Sequence, residues 1–382
     1  MPNVLTEILQ WCTIPEDQNV LNWVLPAVVL SQVCHHWFHV ALSTPVIWSL
    51  LSFTTVDSFQ LHHWHILPIY FQLCSQRIPF SLTIKEWEND LMRPSQPILS
   101  KAPRITLLST NAMQVISSVC CAFPSLLFLR VHLREDGDAY YRLLLMLRYA
   151  PLLEQLDIQV GNLNYDPIGC NPPIILGKLT SLRFTISWFY DIPTLFLILQ
   201  VPLITSLFLS APGSPPTLAF WSAVSAFLEA YPTLIKLDLN DIAFPEQELD
   251  NTNKLGHFLE AMIHIRHLTL HLMPLGLFFQ RISKQATPVL CSKLEHLRVS
   301  FSRIPDDAFM EFVSSRASLD VQHMGSLNRL KSFHLDRCWG LTLLSIGSLS
   351  GLKQHSGVEI SITNVIDSWQ SKLLELDDFS RN

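Results

Sequence analysis

"LIKLDLND", Leu234 to Asp241, is the stretch whose reading decides the fold. Its apolar residues fall at Leu234, Leu237 and Leu239, an apolar-x-x-apolar-x-apolar order. The final positions alternate, which suits a short strand with one buried face. The same order occurs upstream in "LLFLRVHL", "LEQLDIQV", "LTSLRFTI" and "ITSLFLSA", and downstream in "IRHLTLHL", "LEHLRVSF" and "LKSFHLDR". The leading apolar residues are Leu126, Leu153, Leu179, Ile204, Leu234, Ile265, Leu294 and Leu330, so the unit recurs every 25 to 36 residues. Several units open on proline: Pro124, Pro151, Pro202 and Pro232.

Between these segments lie helix-period stretches such as "NAMQVISSVCCAF", "TLAFWSAVSAFLEAY" and "DDAFMEFVSSR". One strand and one helix cannot bury their own apolar edge, whereas stacked units share a continuous core. The pattern resembles the leucine-rich repeat in a long, irregular form. That resemblance implies a parallel sheet inside and helices outside. Asn240 is the nearest match to the asparagine ladder of that family. "RIPFSLTIKEW" reads as a degenerate first repeat, with Phe80, Leu82 and Ile84 inward.

Composition agrees with a large buried core. Of 382 residues, 49% are apolar and only 15% charged, which excludes a disordered chain. The 26 basic and 32 acidic residues leave a net charge of −6 with no basic tract, a poor balance for nucleic-acid binding. Between Asp191 and Glu229 no Asp, Glu, Lys or Arg occurs, a run long enough to span a bilayer. Pro193, Pro202 and Pro212 divide it, and it obeys the repeat, so neither a membrane span nor a membrane partner is predicted. The eight Cys include no Cys-x-x-Cys pair, and no signal peptide opens the chain. A reducing cytoplasmic or nuclear compartment is expected.

Alternation also predicts which side chains face away from the core. They include Arg130 and His132; Asp157; Arg183; Lys236 and Asp238; His267 and His271; His296 and Arg298; and His334 and Asp336. Four of the histidines lie in the last three of the eight segments, beside Arg298. An exposed, rigid sheet face is where solenoids bind, so these residues are candidates for contact with a protein partner. Their histidines would add positive charge as pH falls.

The first fifty residues follow helical spacing. "VLTEILQWC" has apolar residues at Val4, Leu5, Ile8 and Leu9, and "VLPAVVLSQVCHHWFHVAL" places Leu30, Val33, Cys34, Trp37, Val40 and Ala41 on one face. "STPVIWSLL" restarts with Ser43 or Thr44 as a cap and Pro45 in the first turn. Three short helices make a small core that a partner often completes. Pro2 with "VLTEIL", then "LSQVCHHW", then "ALSTPVIWSLL" together resemble the F-box as it occurs in fungal F-box-like proteins. Met1 stands where that family usually has Leu, and no Glu follows Pro2 at the usual place. The resemblance implies a head that docks on a Skp-type adaptor, and through it a cullin, in a cullin–RING ubiquitin ligase. The repeats would then recruit a protein substrate. It implies that Pro2, Leu5, Ile8, Val33, Cys34, Trp37, Pro45 and Trp48 form or support the adaptor surface.

The predicted architecture is therefore α/β. A three-helix F-box-like head spans 1–51, a transitional segment 52–103, a leucine-rich-repeat-like solenoid 104–362 and a tail 363–382. A repeat scaffold without ligase association is the alternative. No catalytic residue and no cofactor is predicted. His35 and His39 lie one helical turn apart next to Cys34, but no further ligand pair is spaced to complete a zinc site. "GSLSG", Gly347 to Gly351, has Leu349 where a nucleophile elbow needs Ser. Asp306 and Asp307 are placed to open a helix, where negative charge suits the dipole.

Overall fold

The computed structural model describes residues 32–44, 48, 50–55, 80–86, 105–110, 123–133, 137–160, 172–186, 192–212, 217–242, 252–284, 291–317, 330–356 and 358–363. The protein is α/β, with parallel strands and helices alternating along the chain. It divides into two compact units, Met1–Asp166 with Ile174–Leu179, and Pro167–Pro173 with Thr180–Asn382.

The first unit holds helices α1 (His35–Leu42) and α2 (Gly137–Arg148) and strands β1 (Leu50–Thr55), β2 (Phe80–Glu86), β3 (Ile105–Thr110), β4 (Phe128–Leu133), β5 (Gln155–Val160) and β6 (Ile174–Ile175). Strands β1 to β5 pair in sequence order, all parallel. The register slips once, between Phe80 and Ser81. The segment read as transitional thus supplies strands to the sheet, and "RIPFSLTIKEW" is a strand as expected. Strand β1 fits the repeat order through Trp48, Leu51 and Phe53, whereas β3 has Ile105 and Leu108 but Thr110 where the last apolar residue would stand. Leu129, Val131 and Leu133 of β4 are buried, as are Leu143, Leu144 and Leu147 of α2.

The second unit contains β7 (Ser181–Ile186), α3 (Ile192–Ile198), β8 (Leu199–Gln200), β9 (Ser206–Ser210), α4 (Leu218–Ala230), β10 (Lys236–Asn240), α5 (Thr252–Ala261), β11 (His267–His271), α6 (Gly276–Lys284), β12 (His296–Ser300), α7 (Asp306–Ala317), β13 (Ser332–Asp336), α8 (Leu343–Ser356) and β14 (Glu359–Thr363). Strands β7, β9, β10, β11, β12, β13 and β14 form one parallel ladder. The uncharged run 192–228 is thereby divided among α3, β8, β9 and most of α4. No helix among the described residues is long and apolar enough to cross a membrane.

The leading apolar residue of each unit is not in the strand. In the seven units from Leu126 to Leu294 it closes a turn two residues before it. Leu234 N–H donates to the Tyr231 carbonyl at 3.0 Å, Leu153 to Ala150 at 3.2 Å and Ile204 to Val201 at 3.1 Å. Pro232, Pro151 and Pro202 occupy the second turn position, where the fixed φ of proline fits. All eight leading residues are buried. The next two N–H groups then share one carbonyl of the preceding unit. Ile235 and Lys236 both donate to Thr205, and Arg266 and His267 both donate to Ile235. This shared bond fixes the register, so strands start level with one another.

Helices complete the core on the leucine side. Phe184 of β7 meets Phe196 of α3 edge-on at 5.5 Å, and Phe309 of α7 meets Phe333 of β13 at 5.2 Å. Phe279 of α6 touches Phe309 and Phe312 of α7, so the aromatic contacts pass from one unit to the next. Each such ring contributes about 2–3 kcal/mol through burial. Thr217 caps α4, its hydroxyl accepting from Phe220 N–H at 3.2 Å. Asp306 and Asp307 open α7 as their charge suggests. "GSLSG" lies inside α8.

The strands from β10 to β13 also end alike. Asp241, Leu272, Phe301 and Arg337 each take positive φ, between 49° and 53°. Their N–H groups donate to His271, Ser300, Asp336 and Thr363 carbonyls at 2.8 to 3.1 Å. A left-handed residue costs about 1–2 kcal/mol when it is not glycine, and the inter-strand bond offsets part of that. Gly340 has φ +97, and a Cβ there would stand 2.5 Å from the Ile304 carbonyl oxygen, so only glycine fits.

Candidate functional site

The side of the ladder away from the helices carries three level rows of side chains. Register places Ser181, Ser206, Lys236, His267, His296, Ser332 and Glu359 in the first row. The second is Arg183, Phe208, Asp238, Thr269, Arg298, His334 and Ser361, and the third Thr185, Ser210, Asn240, His271, Ser300, Asp336 and Thr363. Adjacent strands lie about 4.8 Å apart and alternate residues about 6.7 Å apart along a strand, so neighbours in each direction interact.

The rows are tied together. Arg183 lies over the Phe208 ring at 3.8 Å. Lys236 Nζ pairs with Asp238 Oδ2 at 3.0 Å. Asn240 Nδ2 donates to Ser210 Oγ at 2.9 Å, a side-chain bond between neighbouring strands. His267 and His296 stack with centroids 4.4 Å apart and planes 2° from parallel. Ser332 Oγ is 2.7 Å from His296 Nδ1, and Ser300 Oγ is 2.7 Å from His271 Nδ1. His271 also meets Phe301 edge-on at 4.9 Å, and Arg337 lies over that ring at 4.9 Å. Thr363 Oγ1 donates to Asp336 Oδ1 at 3.0 Å.

Electrostatics restrain the imidazoles. Burial pushes the His267 pKa down, helped by His296, Lys236 and Arg266 and opposed by Glu295. Burial also lowers His271, helped by Arg298 and opposed by Asp241 and Asp336. Both imidazoles take up a proton only at lower pH than an exposed histidine. Neither His271 nor His296 has a carboxylate within ion-pair reach among the described residues, and Ser300 is buried. The two Ser–His pairs hold the rings in place.

The sequence matches no protein-family model and no curated protein at a significant level.

In the first unit, His132 is exposed, whereas Asp157, expected to face outward, is buried. Arg130 Nε reaches its carboxylate across the β4–β5 pair at 2.8 Å. Asp157 is therefore a structural anion, not a contact residue. In the second unit the structure brings His267, His271, His296, Arg298, His334 and Asp336 together on β11 to β13. Alternation marks Ser300 and Ser332 as outward, but their pairing with histidines follows from register, which the sequence does not state.

Near the N-terminus, Pro2, Leu5, Ile8 and Pro45 lie outside the described residues. The single helical face through Val33, Cys34 and Trp37 does not hold. Cys34 is extended, φ −162 and ψ 170, so α1 begins only at His35. Helical spacing cannot carry across that residue, and Val33 and Cys34 are both exposed. Trp37 is half-buried. Trp48 is buried and donates from Nε1 to the Ala41 carbonyl at 2.8 Å, so it supports α1 from within. Ser43 and Thr44, expected to cap a following helix, precede residues 45–47, which lie outside those described. Both hydroxyls reach back to the Val40 carbonyl, at 3.0 and 2.7 Å. His35 and His39 rings meet edge-on at 4.3 Å. Among the described residues no three His, Cys, Asp or Glu are grouped to hold a metal ion.

Proposed function

We propose that the protein is a non-catalytic receptor that holds a protein target on the polar face of its second unit and delivers it to a partner bound at its N-terminus. The observation that carries this is the level register of β7 to β14, which fixes three rows of polar and aromatic side chains on a rigid backbone. Such a surface binds with little ordering cost, because its side chains are already constrained by their neighbours. The N-terminal resemblance gives the partner: a Skp-type adaptor of a cullin–RING ubiquitin ligase, with the repeats of the leucine-rich type as the receptor body. Linking two binding surfaces in one chain raises the effective concentration of target near the ligase, and that is the whole mechanism.

Val33 is 58% exposed and Phe38 42%, apolar area of the kind a helical adaptor covers. The break at Cys34 favours a second reading, a repeat scaffold without ligase association, because the V-C-x-x-W element does not form one helical face. Co-expression of the full chain with a Skp-type adaptor separates the two. Co-purification of wild type, lost on Val33→Asp and Trp37→Asp, supports the receptor. A folded wild-type chain that never retains the adaptor removes the ligase role and leaves the scaffold.

A further inference from the structure

Strands β11, β12 and β13 present a three-by-three grid of outward residues. Its rows are His267, His296 and Ser332; then Thr269, Arg298 and His334; then His271, Ser300 and Asp336. Arg298 is at the centre and exposed. Other cations on this ladder face are engaged: Arg183 stacks on Phe208 and Lys236 pairs with Asp238. The Arg298 guanidinium has no hydrogen-bond or ion-pair partner among the described residues. Five donors in a fixed fork, held on a rigid strand and left unmatched, suit a planar two-oxygen acceptor.

We infer that this grid recognises a carboxylate side chain, so that the segment held on the face is an acidic peptide whose Asp or Glu pairs with Arg298. This rests on the reading of the face as the target-binding surface. Thr269 and His334 flank Arg298 on either side in register and offer further polar contacts to the same group. The imidazoles on either side are fixed by Ser332 and Ser300, so the walls of the site do not need to be ordered on binding. Charge selects the carboxylate over a phosphate. Of Asp, Glu, Lys and Arg, the grid holds one cation, Arg298, and one anion, Asp336. A monoanion balances Arg298, whereas a phosphate carrying nearly two charges would face Asp336 without a second cation.

The probe is a bead-displayed random peptide library in three matched forms, containing Asp and Glu, Asn and Gln in their place, or phosphoserine in their place. The full-length chain is equilibrated with each, beside Arg298→Gln and a control, Lys353→Gln, an exposed residue of helix α8 outside the strand face. Wild type should enrich the acidic form at least tenfold over the amide form, and Arg298→Gln should lose most of that enrichment while Lys353→Gln keeps it. The far-ultraviolet circular dichroism and melting of Arg298→Gln should match wild type, as its side chain is exposed. Preference for the phosphoserine form, equal enrichment of acidic and amide forms, no peptide binding, or acidic enrichment that survives Arg298→Gln would each overturn the inference. Enrichment of non-acidic peptides that competes with an identified target would sink the carboxylate and spare the target-binding face; a target bound without competition from any selected peptide would remove the face itself.

Discussion

His267 and His296 lie on adjacent strands with their rings stacked at 4.4 Å and 2° from parallel. Two imidazoles so placed cannot both be charged cheaply. Glu295 is the acidic neighbour of His267, while His296, Lys236 and Arg266 oppose its protonation. His271 faces Arg298, with Asp241 and Asp336 as the acidic neighbours. Both pKa values lie below the ordinary value of 6.5. The unfolded chain therefore binds more protons than the folded one as pH falls through that value, and stability rises with pH over this window. The apparent Tm should fall between about pH 7.5 and about pH 5.5, and His267→Gln with His271→Asn should flatten the slope. An unchanged slope in the double variant would show that these rings do not govern it.

The Arg130–Asp157 pair is asymmetric: the arginine side chain is 44% exposed and the aspartate 7%. Asp157 Oδ1 is buried and makes no hydrogen bond of its own. Arg130→Met should thus cost more than Asp157→Asn, because it strands a buried anion, whereas the reverse change leaves a guanidinium that water can solvate. After discounting for the exposure of Arg130, the expected loss is about 1–3 kcal/mol for Arg130→Met and about 1 kcal/mol or less for Asp157→Asn. Urea midpoints would decide, and an equal or reversed order would remove the argument.

Much of the ladder was legible because its signal is apolar and local. Leu234, Leu237 and Leu239 declare a strand, a buried face and a turn in six residues. Pro232, which opens its unit, is equally plain. Three things were not legible. The left-handed strand ends fall on Asp241, Leu272, Phe301 and Arg337, which share no chemistry, so the inter-strand bond and not the residue type imposes the conformation. The last strand, at Ile360, alternates but has no leading apolar residue. The break at Cys34 interrupts a stretch whose apolar spacing reads as one helix. At the candidate site, alternation gives each strand's outward residues but not what stands beside them, so the Ser–His pairs and the isolation of Arg298 appear only once register is fixed.

Burial separates the thiols. Cys291 is fully enclosed and its pKa is pushed up to about 12, with Arg316 acting in the other direction; Cys338 is raised to about 11, also by burial. Neither forms thiolate at neutral pH, whereas Cys34 is exposed. Native alkylation with iodoacetamide at about pH 8, followed by peptide mapping, should label Cys34 well ahead of Cys291 and Cys338. Denaturant should make the three rates converge. Rapid native labelling of Cys291 would contradict its enclosure between the β12 turn and Arg316, whose guanidinium donates to the Cys291 carbonyl at 2.9 Å.

Val33 and Trp48 should fail in different ways. Trp48 is 3% exposed and its indole N–H donates to the Ala41 carbonyl, which also accepts from Thr44 N–H, so Trp48→Phe removes one of two bonds there and leaves a small void in place of the larger ring. That change should destabilise the α1 region by about 1–2 kcal/mol, visible as faster hydrogen exchange at Val40 to Leu42. Val33 is 58% exposed, and Val33→Asp should alter stability by no more than about 0.5 kcal/mol. Under the receptor reading both variants lose the Skp-type adaptor, Trp48→Phe because its platform frays and Val33→Asp because a charge is placed on the contact. Cooling should partly restore capture by Trp48→Phe and not by Val33→Asp, since only the first defect is one of stability. Full adaptor capture by Val33→Asp would take this residue out of the contact surface.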